Sequence, residues 1–275
     1  MAMQLHLRKL RAAPWIAWFK LRGRPARDYQ GQWQDYWSRA NLGADNDVLW
    51  DVEDDAELTE AMAEFLPHAD TTLPILDLGC GNGRRSRFLT SHFDQVIGVD
   101  VSAAAVELAN EQAGDIAGLS FQILDGLDTD AVAALADQHG PMNIYMRGVF
   151  HVIHDKDRST FLANLRTLLG NGGTLYQLET DGEALDHFLS NPEDSPSGLP
   201  KLMHRVIESG VVPQGFGPDD AQRWFGGDGW NIIESKPGII HTQDLGGRAG
   251  RVPAHIVIAR PETAGERDVD TSSAA

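Results

Sequence analysis

The chain has a single cysteine, Cys80, in 275 residues, so no internal disulfide can form. That excludes a disulfide-stapled secreted scaffold. No apolar run approaches the roughly 18–20 residues of a membrane-spanning helix. The short run Pro14–Phe19 has bases on both sides, unlike a signal peptide. The expected location is therefore cytoplasmic. Positive charge is scarce: 23 Lys and Arg face 40 Asp and Glu, for a net charge of −17. Such a chain repels phosphates, so no nucleic-acid partner is expected. Residues 1–27 invert this balance with seven bases and no acid, which leaves −24 on the remainder. This basic arm reads either as a helix packed on its own domain or as a weak contact to an anionic membrane surface.

The hydrophobic share of 42% is ample for a core in a chain of this length. Residues 28–72 form a helical, aromatic cap. Tyr29, Trp33, Tyr36, Trp37 and Trp50 cluster there, and residues 55–66 are amphipathic, with Leu58, Met62, Phe65 and Leu66 on one side. Trp37 and Trp50 are candidates for a wall over a bound substrate. From residue 73 strands and helices alternate. Strands are expected at 73–79, 95–100, 119–125, 143–148 and 173–179, with helices at 84–93, 102–112, 130–138 and 157–170 between them. This is the pattern of an α/β, doubly wound, mostly parallel sheet. Residues 181–218 break the rhythm with Pro, Ser, Asp and Gly and one helix at 199–209, as a lid does. A helix at 219–225 and strands at 230–235 and 254–260 complete a seven-stranded sheet with an antiparallel C-terminal pair. The catalytic domain is thus expected over 73–260, and the polar tail 261–275 is expected to be disordered.

The informative segment is Ile75-Leu76-Asp77-Leu78-Gly79-Cys80-Gly81-Asn82-Gly83-Arg84. A buried strand enters a glycine turn, and a helix follows. Glycine permits positive φ and lets a ligand lie against bare main chain. Asp100 ends the next strand, where an acid accepts hydrogen bonds from ribose hydroxyls. Asp125-Gly126 follows the third strand, where a side chain can meet an adenine amino group. Acids thus gather at one sheet edge, the edge where open α/β sheets bind ligands. The spacing Gly79-Gly81-Gly83 departs from the dinucleotide fingerprint, and Asp77 is placed to repel a pyrophosphate but to accept a cationic ligand.

Residues 73–84, with Asp100 and Asp125, resemble the class I S-adenosylmethionine-dependent methyltransferases over about residues 70–260. The resemblance implies S-adenosyl-L-methionine as cofactor. It implies that Asp77, Gly79, Cys80 and Gly81 surround the methionine moiety and that Asp100 holds the ribose. Val101, Asp125 and Gly126 would contact the adenine, and Met146 or Arg147 would line the methyl-donor end. The cap around Trp33–Trp37 and Trp50-Asp51 is loosely similar to the thiopurine and tellurite methyltransferase group. Many nucleic-acid amino-methyltransferases carry an Asn/Asp-Pro-Pro-aromatic motif after the fourth strand. This chain has Arg147-Gly148-Val149-Phe150-His151, which favours a small-molecule acceptor methylated on O, S, N or C.

Other readings stay open at this level. A nicotinamide-dependent oxidoreductase and a non-catalytic nucleoside-binding module share the same strand–turn–helix. His151 and His154 lie beyond the fourth strand, where a neutral imidazole can take a proton from an acceptor hydroxyl. Their spacing alone does not make a metal site, and no metal is expected. Cys80 reads as a small buried residue rather than a nucleophile. Tyr145 and Tyr176 read as core. Arg84 and Arg85 either meet the donor's carboxylate or face solvent.

Overall fold

In the computed structural model, residues 13, 14, 17, 28–42, 46–190, 201–211, 214–227, 229–243 and 250–262 are described. Most of residues 1–27, residues 43–45, part of segment 181–218, residue 228, residues 244–249 and the residues beyond 262, with the expected tail, lie outside this set.

Seven strands form one sheet: β1 (Ile75–Leu78), β2 (Val96–Asp100), β3 (Leu119–Ile123), β4 (Asn143–Arg147), β5 (Leu175–Thr180), β6 (Trp230–Thr242) and β7 (Gly250–Pro261). Their order is β3-β2-β1-β4-β5-β7-β6. The first five pair in parallel, and β7 runs antiparallel between β5 and β6. The chain works outward from β1 to β3, then returns to β4 on the other side of β1. That reversal opens a crevice at the C-terminal ends of the strands. Every residue of β1 and β2 is buried, as apolar strands covered on both faces must be.

Helices α1 (Tyr29–Ser38) and α2 (Ala56–Phe65) precede the sheet. The crossovers are α3 (Arg84–Leu89), α4 (Ala103–Ala113), α5 (Thr129–His139) and α6 (Asp155–Leu169). Helices α7 (Ala184–Ser190), α8 (Lys201–Glu208) and α9 (Pro218–Phe225) follow β5. Asp28 caps α1 through a hydrogen bond from the Gly31 amide, and Ser102 caps α4 in the same way through Ala105. Two apolar clusters cover the two sides of the sheet. One joins α2 residues Leu58, Met62 and Phe65 to Tyr145, Tyr176 and Ile258. The other joins α6 residues Phe161, Leu162 and Leu165 to Leu76, Ile97, Ile144 and Met146.

The sheet, its antiparallel end and the crossover helices agree with the sequence expectation. Several boundaries do not. Helix α3 stops at Leu89, and α7 forms where a loop was expected. The last two strands run 13 and 12 residues, well beyond 230–235 and 254–260. Pro237 and Gly238 look like breakers, but β6 is an edge strand, where a missing N–H costs no ladder bond. A bulge between Ile232 and Glu234 absorbs the irregularity.

Candidate active site

A cavity of about 370 Å³ lies at the C-terminal ends of β1 to β5. Its floor is the turn after β1. Gly79, Gly81 and Gly83 have φ of 80°, 56° and 71°. The amides of Gly79 and Cys80 both donate to the Val99 carbonyl, at 2.8 and 2.9 Å, which folds the turn back over β2. The glycines also permit close approach from above. A Cβ on Gly79 would collide with Val149 Cγ2, and one on Gly81 would lie 2.5 Å from Trp37 Cζ2.

Two buried carboxylates frame this turn. Asp77 in β1 accepts a hydrogen bond from the Ser86 hydroxyl at 2.5 Å. Burial pushes its carboxyl up to about 6, against the pull of that bond. Asp100 ends β2 and accepts from the Gly81 amide at 3.0 Å and the Ser102 amide at 2.9 Å. Burial pushes it up to about 6 as well, opposed by those amides. Burial, then the charges of Asp100 and Asp77, push the Cys80 thiol up, so the sulfur is held as a protonated wall atom.

Asp77, Gly79, Cys80, Gly81, Asp100, Val101, Asp125, Gly126, Arg147 and His151 all line the cavity, with Trp37 and Trp50 opposite. Trp50 stacks on Tyr36 at 5.1 Å and meets Trp33 edge-on at 5.8 Å, so the aromatic wall is internally braced. Asp125 lies beyond the end of β3 and is exposed; its side chain accepts from the Leu127 amide.

Two expected residues fall elsewhere. Met146 does not line the cavity; it is fully buried in the apolar cluster under α6. Strand alternation puts neighbours on opposite faces, and here Arg147 takes the cavity position. His154 precedes α6 at its N-cap position and faces Tyr29, with ring centroids 5.7 Å apart, and Gln214. The short 3₁₀ turn Phe150–Val152 separates it from His151 and turns it out of the cavity. Tyr145 and Tyr176 are core, stacked at 5.5 Å.

Two charged partners, Glu179 and Glu57, escaped the sequence reading. Glu179, at the end of β5, is fully buried. It accepts from the amides of Val149 at 3.1 Å, Phe150 at 2.8 Å and His151 at 3.3 Å, and its Oε2 lies 2.5 Å from His151 Nδ1. Glu57, in α2, binds Arg147 through two oxygens, at 2.5 and 2.8 Å, and accepts from the His241 amide at 2.5 Å. Burial alone would raise the Glu57 carboxyl, and Arg147 overrides it, holding the group below the usual carboxylate range. Arg85 donates to the Trp50 carbonyl at 3.0 Å, while its buried Nε has no hydrogen-bond partner among the described residues. Burial and then the Arg147 charge lower the Arg85 pKa. Arg84 points elsewhere, pairing with Asp55 and the Glu53 carbonyl. Among the described residues, no group of three or more His, Cys, Asp or Glu is placed to hold a metal ion.

A methyltransferase-domain family model matches residues 75–173, the segment from β1 to just before β5. A crystal structure of an S-adenosylmethionine-dependent methyltransferase from Anabaena variabilis is 29% identical. It superposes with a TM-score of 0.77 over 86% of this chain and 96% of that one. Residues 75–173 carry a methyltransferase domain, and the chain is an S-adenosylmethionine-dependent methyltransferase. Two further structures share this methyltransferase's fold at lower identity. One, which concerns conversion of a disulfide bond into a thioacetal group during echinomycin biosynthesis, is 17% identical, with a TM-score of 0.59 over 82% of this chain and 90% of that one. The other, an S-adenosylmethionine-dependent methyltransferase from Methanosarcina mazei, is 16% identical, with a TM-score of 0.52 over 71% and 95%. None of the curated protein sequences matches the methyltransferase. Among its described residues no helix is long and apolar enough to cross a membrane.

Proposed function

We propose that this methyltransferase transfers the methyl group of S-adenosylmethionine to a small-molecule acceptor bound in the same cavity. One arrangement carries the reading. The strand ends that form the cavity floor are faced by α1 and by segment 181–218, which contributes Phe188, Met203, Val206 and Gln214 to the lining. A space of about 370 Å³ between them suits a small guest rather than a polymer. The acidic rim and the net charge of −17 oppose a polyanionic acceptor.

The residues present fit the donor. Bare main chain at Gly79 and Gly81 offers close contact to the methionine moiety. Asp77 faces the same space as an acceptor for a cationic group. Asp100 offers carboxylate oxygens to the ribose hydroxyls, and Val101, Leu124 and Phe161 give the adenine an apolar seat beside Asp125 and Gly126. Arg85, with a buried Nε that has no partner among the described residues, is the cation for the donor's carboxylate; Arg84 is already engaged. When bound, the donor supplies an activated methyl group and a neutral leaving group. The chain then has to align the acceptor and exclude water. In this scheme residues 28–72 are the cap, 181–218 the lid and 73–260 the catalytic domain. The enzyme works in the cytoplasm, and arm 1–27 supplies any contact with an anionic membrane.

Calorimetric titration tests the donor seat. S-adenosylmethionine should bind and NAD should not. Asp100→Ala should weaken binding at least about tenfold, or about 1.4 kcal/mol. Unchanged affinity in that variant would overturn the assignment.

A further inference from the structure

Methyl transfer by itself leaves the acceptor's chemistry open, and the choice of acceptor made from the residues around His151 rests on the methyl-transfer reading. The His151 ring lines the cavity, and its Nδ1 lies 2.5 Å from a Glu179 carboxylate that also receives three backbone amides. Glu179 is fully buried, and with three backbone N–H groups already donating to its oxygens, it is placed to accept from the ring as well. The hydrogen of a neutral imidazole is therefore fixed on Nδ1, and Nε2 carries the free lone pair. This is the arrangement of an oriented base, with Glu179 as a positioning residue.

The surroundings of that base are mostly apolar. Phe188, Met203, Val206, Val211, Ile240 and Val252 line the same cavity. Thr180 adds one polar point: its hydroxyl is buried with no hydrogen-bond partner among the described residues. Two backbone bonds tie segment 181–218 to the pair, from Gln214 N to the His151 carbonyl at 3.1 Å and from Phe216 N to the Thr180 carbonyl at 2.8 Å. The Arg147 guanidinium is already matched by Glu57, so it does not offer a free charge to an acidic acceptor.

We infer that the acceptor is a largely apolar phenol, that His151 removes its hydroxyl proton, and that Glu179 holds His151 for the task. A phenol has a pKa of about 10 and stays protonated near neutrality, so it needs a base; a thiol, at about 8.5, ionises far more readily alone. An amine would enter as an ammonium ion and have to shed its hydration among apolar side chains, which is costly. The transfer balances. The phenol oxygen forms the new O–CH₃ bond as the donor's S–CH₃ bond breaks. The sulfur keeps that electron pair, and the hydroxyl proton ends on His151 Nε2.

The test uses the full chain with 1-naphthol, 1-naphthalenethiol and 1-naphthylmethylamine, an alkylamine that is protonated near neutrality; all three carry the same apolar naphthyl group. Two readouts are followed: quenching of tryptophan fluorescence in the presence of S-adenosylhomocysteine, and S-adenosylhomocysteine release in the presence of S-adenosylmethionine. The naphthol should quench and turn over fastest. Glu179→Gln should lower kcat by about 10- to 100-fold with KM nearly unchanged, and lose much less on a nitrophenol already ionised at the assay pH. If Glu179→Gln melts below the assay temperature, His151→Gln carries the same comparison. Donor binding with no quenching or turnover of the naphthol overturns the inference. So does a variant whose losses are equal on the naphthol and the nitrophenol, or turnover of the thiol or amine in preference to the naphthol. Failure of S-adenosylmethionine itself to bind strikes the methyl-transfer reading instead.

Discussion

Acidification should loosen the donor and tighten the empty fold at the same time. Asp77 and Asp100 frame the glycine turn, and burial raises both carboxyls from the ordinary 3.8 to about 6. The Asp77 charge adds to the burial that raises Asp100. In the proposed donor seat both act as carboxylates: Asp100 would accept from the ribose and Asp77 would face a cation. At pH 7.5 nearly all of each group is ionised, whereas at pH 5 only about one in eleven is. The donor's Kd should therefore rise about tenfold between these values if one ionisation is required, and about a hundredfold if both are. Stability moves the other way. A folded-state pKa above the unfolded one means that the buried charges destabilise the fold above about pH 6, a cost that disappears as pH falls toward 3.8. From these two groups alone, the ligand-free melting temperature should rise as pH drops from 7 to 5. Calorimetry at pH 5, 6 and 7.5 at constant ionic strength, beside thermal melts, measures both trends. Asp100→Asn should flatten the binding curve by one ionisation. A Kd that is the same at pH 5 and 7.5 in a folded protein would refute the reasoning.

Three further outcomes are expected from the structure. Gly81→Ala places a Cβ 2.5 Å from Trp37 Cζ2 at a φ of 56°, so it should cost at least about 1–2 kcal/mol and weaken donor binding, read by chemical denaturation and calorimetry. Glu57→Gln leaves the buried Arg147 and Arg85 charges uncompensated and should destabilise by about 3–5 kcal/mol; Glu57→Gln with Arg147→Met should recover part of that loss in urea melts. Removing residues 1–24 should leave donor affinity unchanged, because no proposed donor contact lies there, while any salt-sensitive sedimentation with anionic liposomes should vanish.

What was legible in the sequence was local. The turn Gly79–Gly83 could be read because three glycines between a buried strand and a helix leave few alternatives. Asp100 followed from the same logic one strand later. The central strands declared themselves as apolar runs, and the sheet they form has the expected order of layers. What escaped depends on partners far apart in the chain. Glu179 ends an apolar strand like any surface acid, and only folding brings it to His151, 28 positions away. Glu57 looks like a solvent residue of an amphipathic helix, yet it meets Arg147 across 90 positions. His154 and His151 are equivalent in sequence, and a single 3₁₀ turn sends one to the cavity and the other to a helix start. The long hairpin of β6 and β7 was hidden because Pro237 and Gly238 signal a break that an edge strand tolerates.

The most direct test is a crystal structure of the chain with S-adenosylhomocysteine. The homocysteine moiety should lie along Gly79–Gly81, with its carboxylate at Arg85. The ribose hydroxyls should meet the Asp100 carboxylate, and the sulfur should open toward His151. A ligand bound away from this turn, or with its ribose turned from Asp100, would contradict the account.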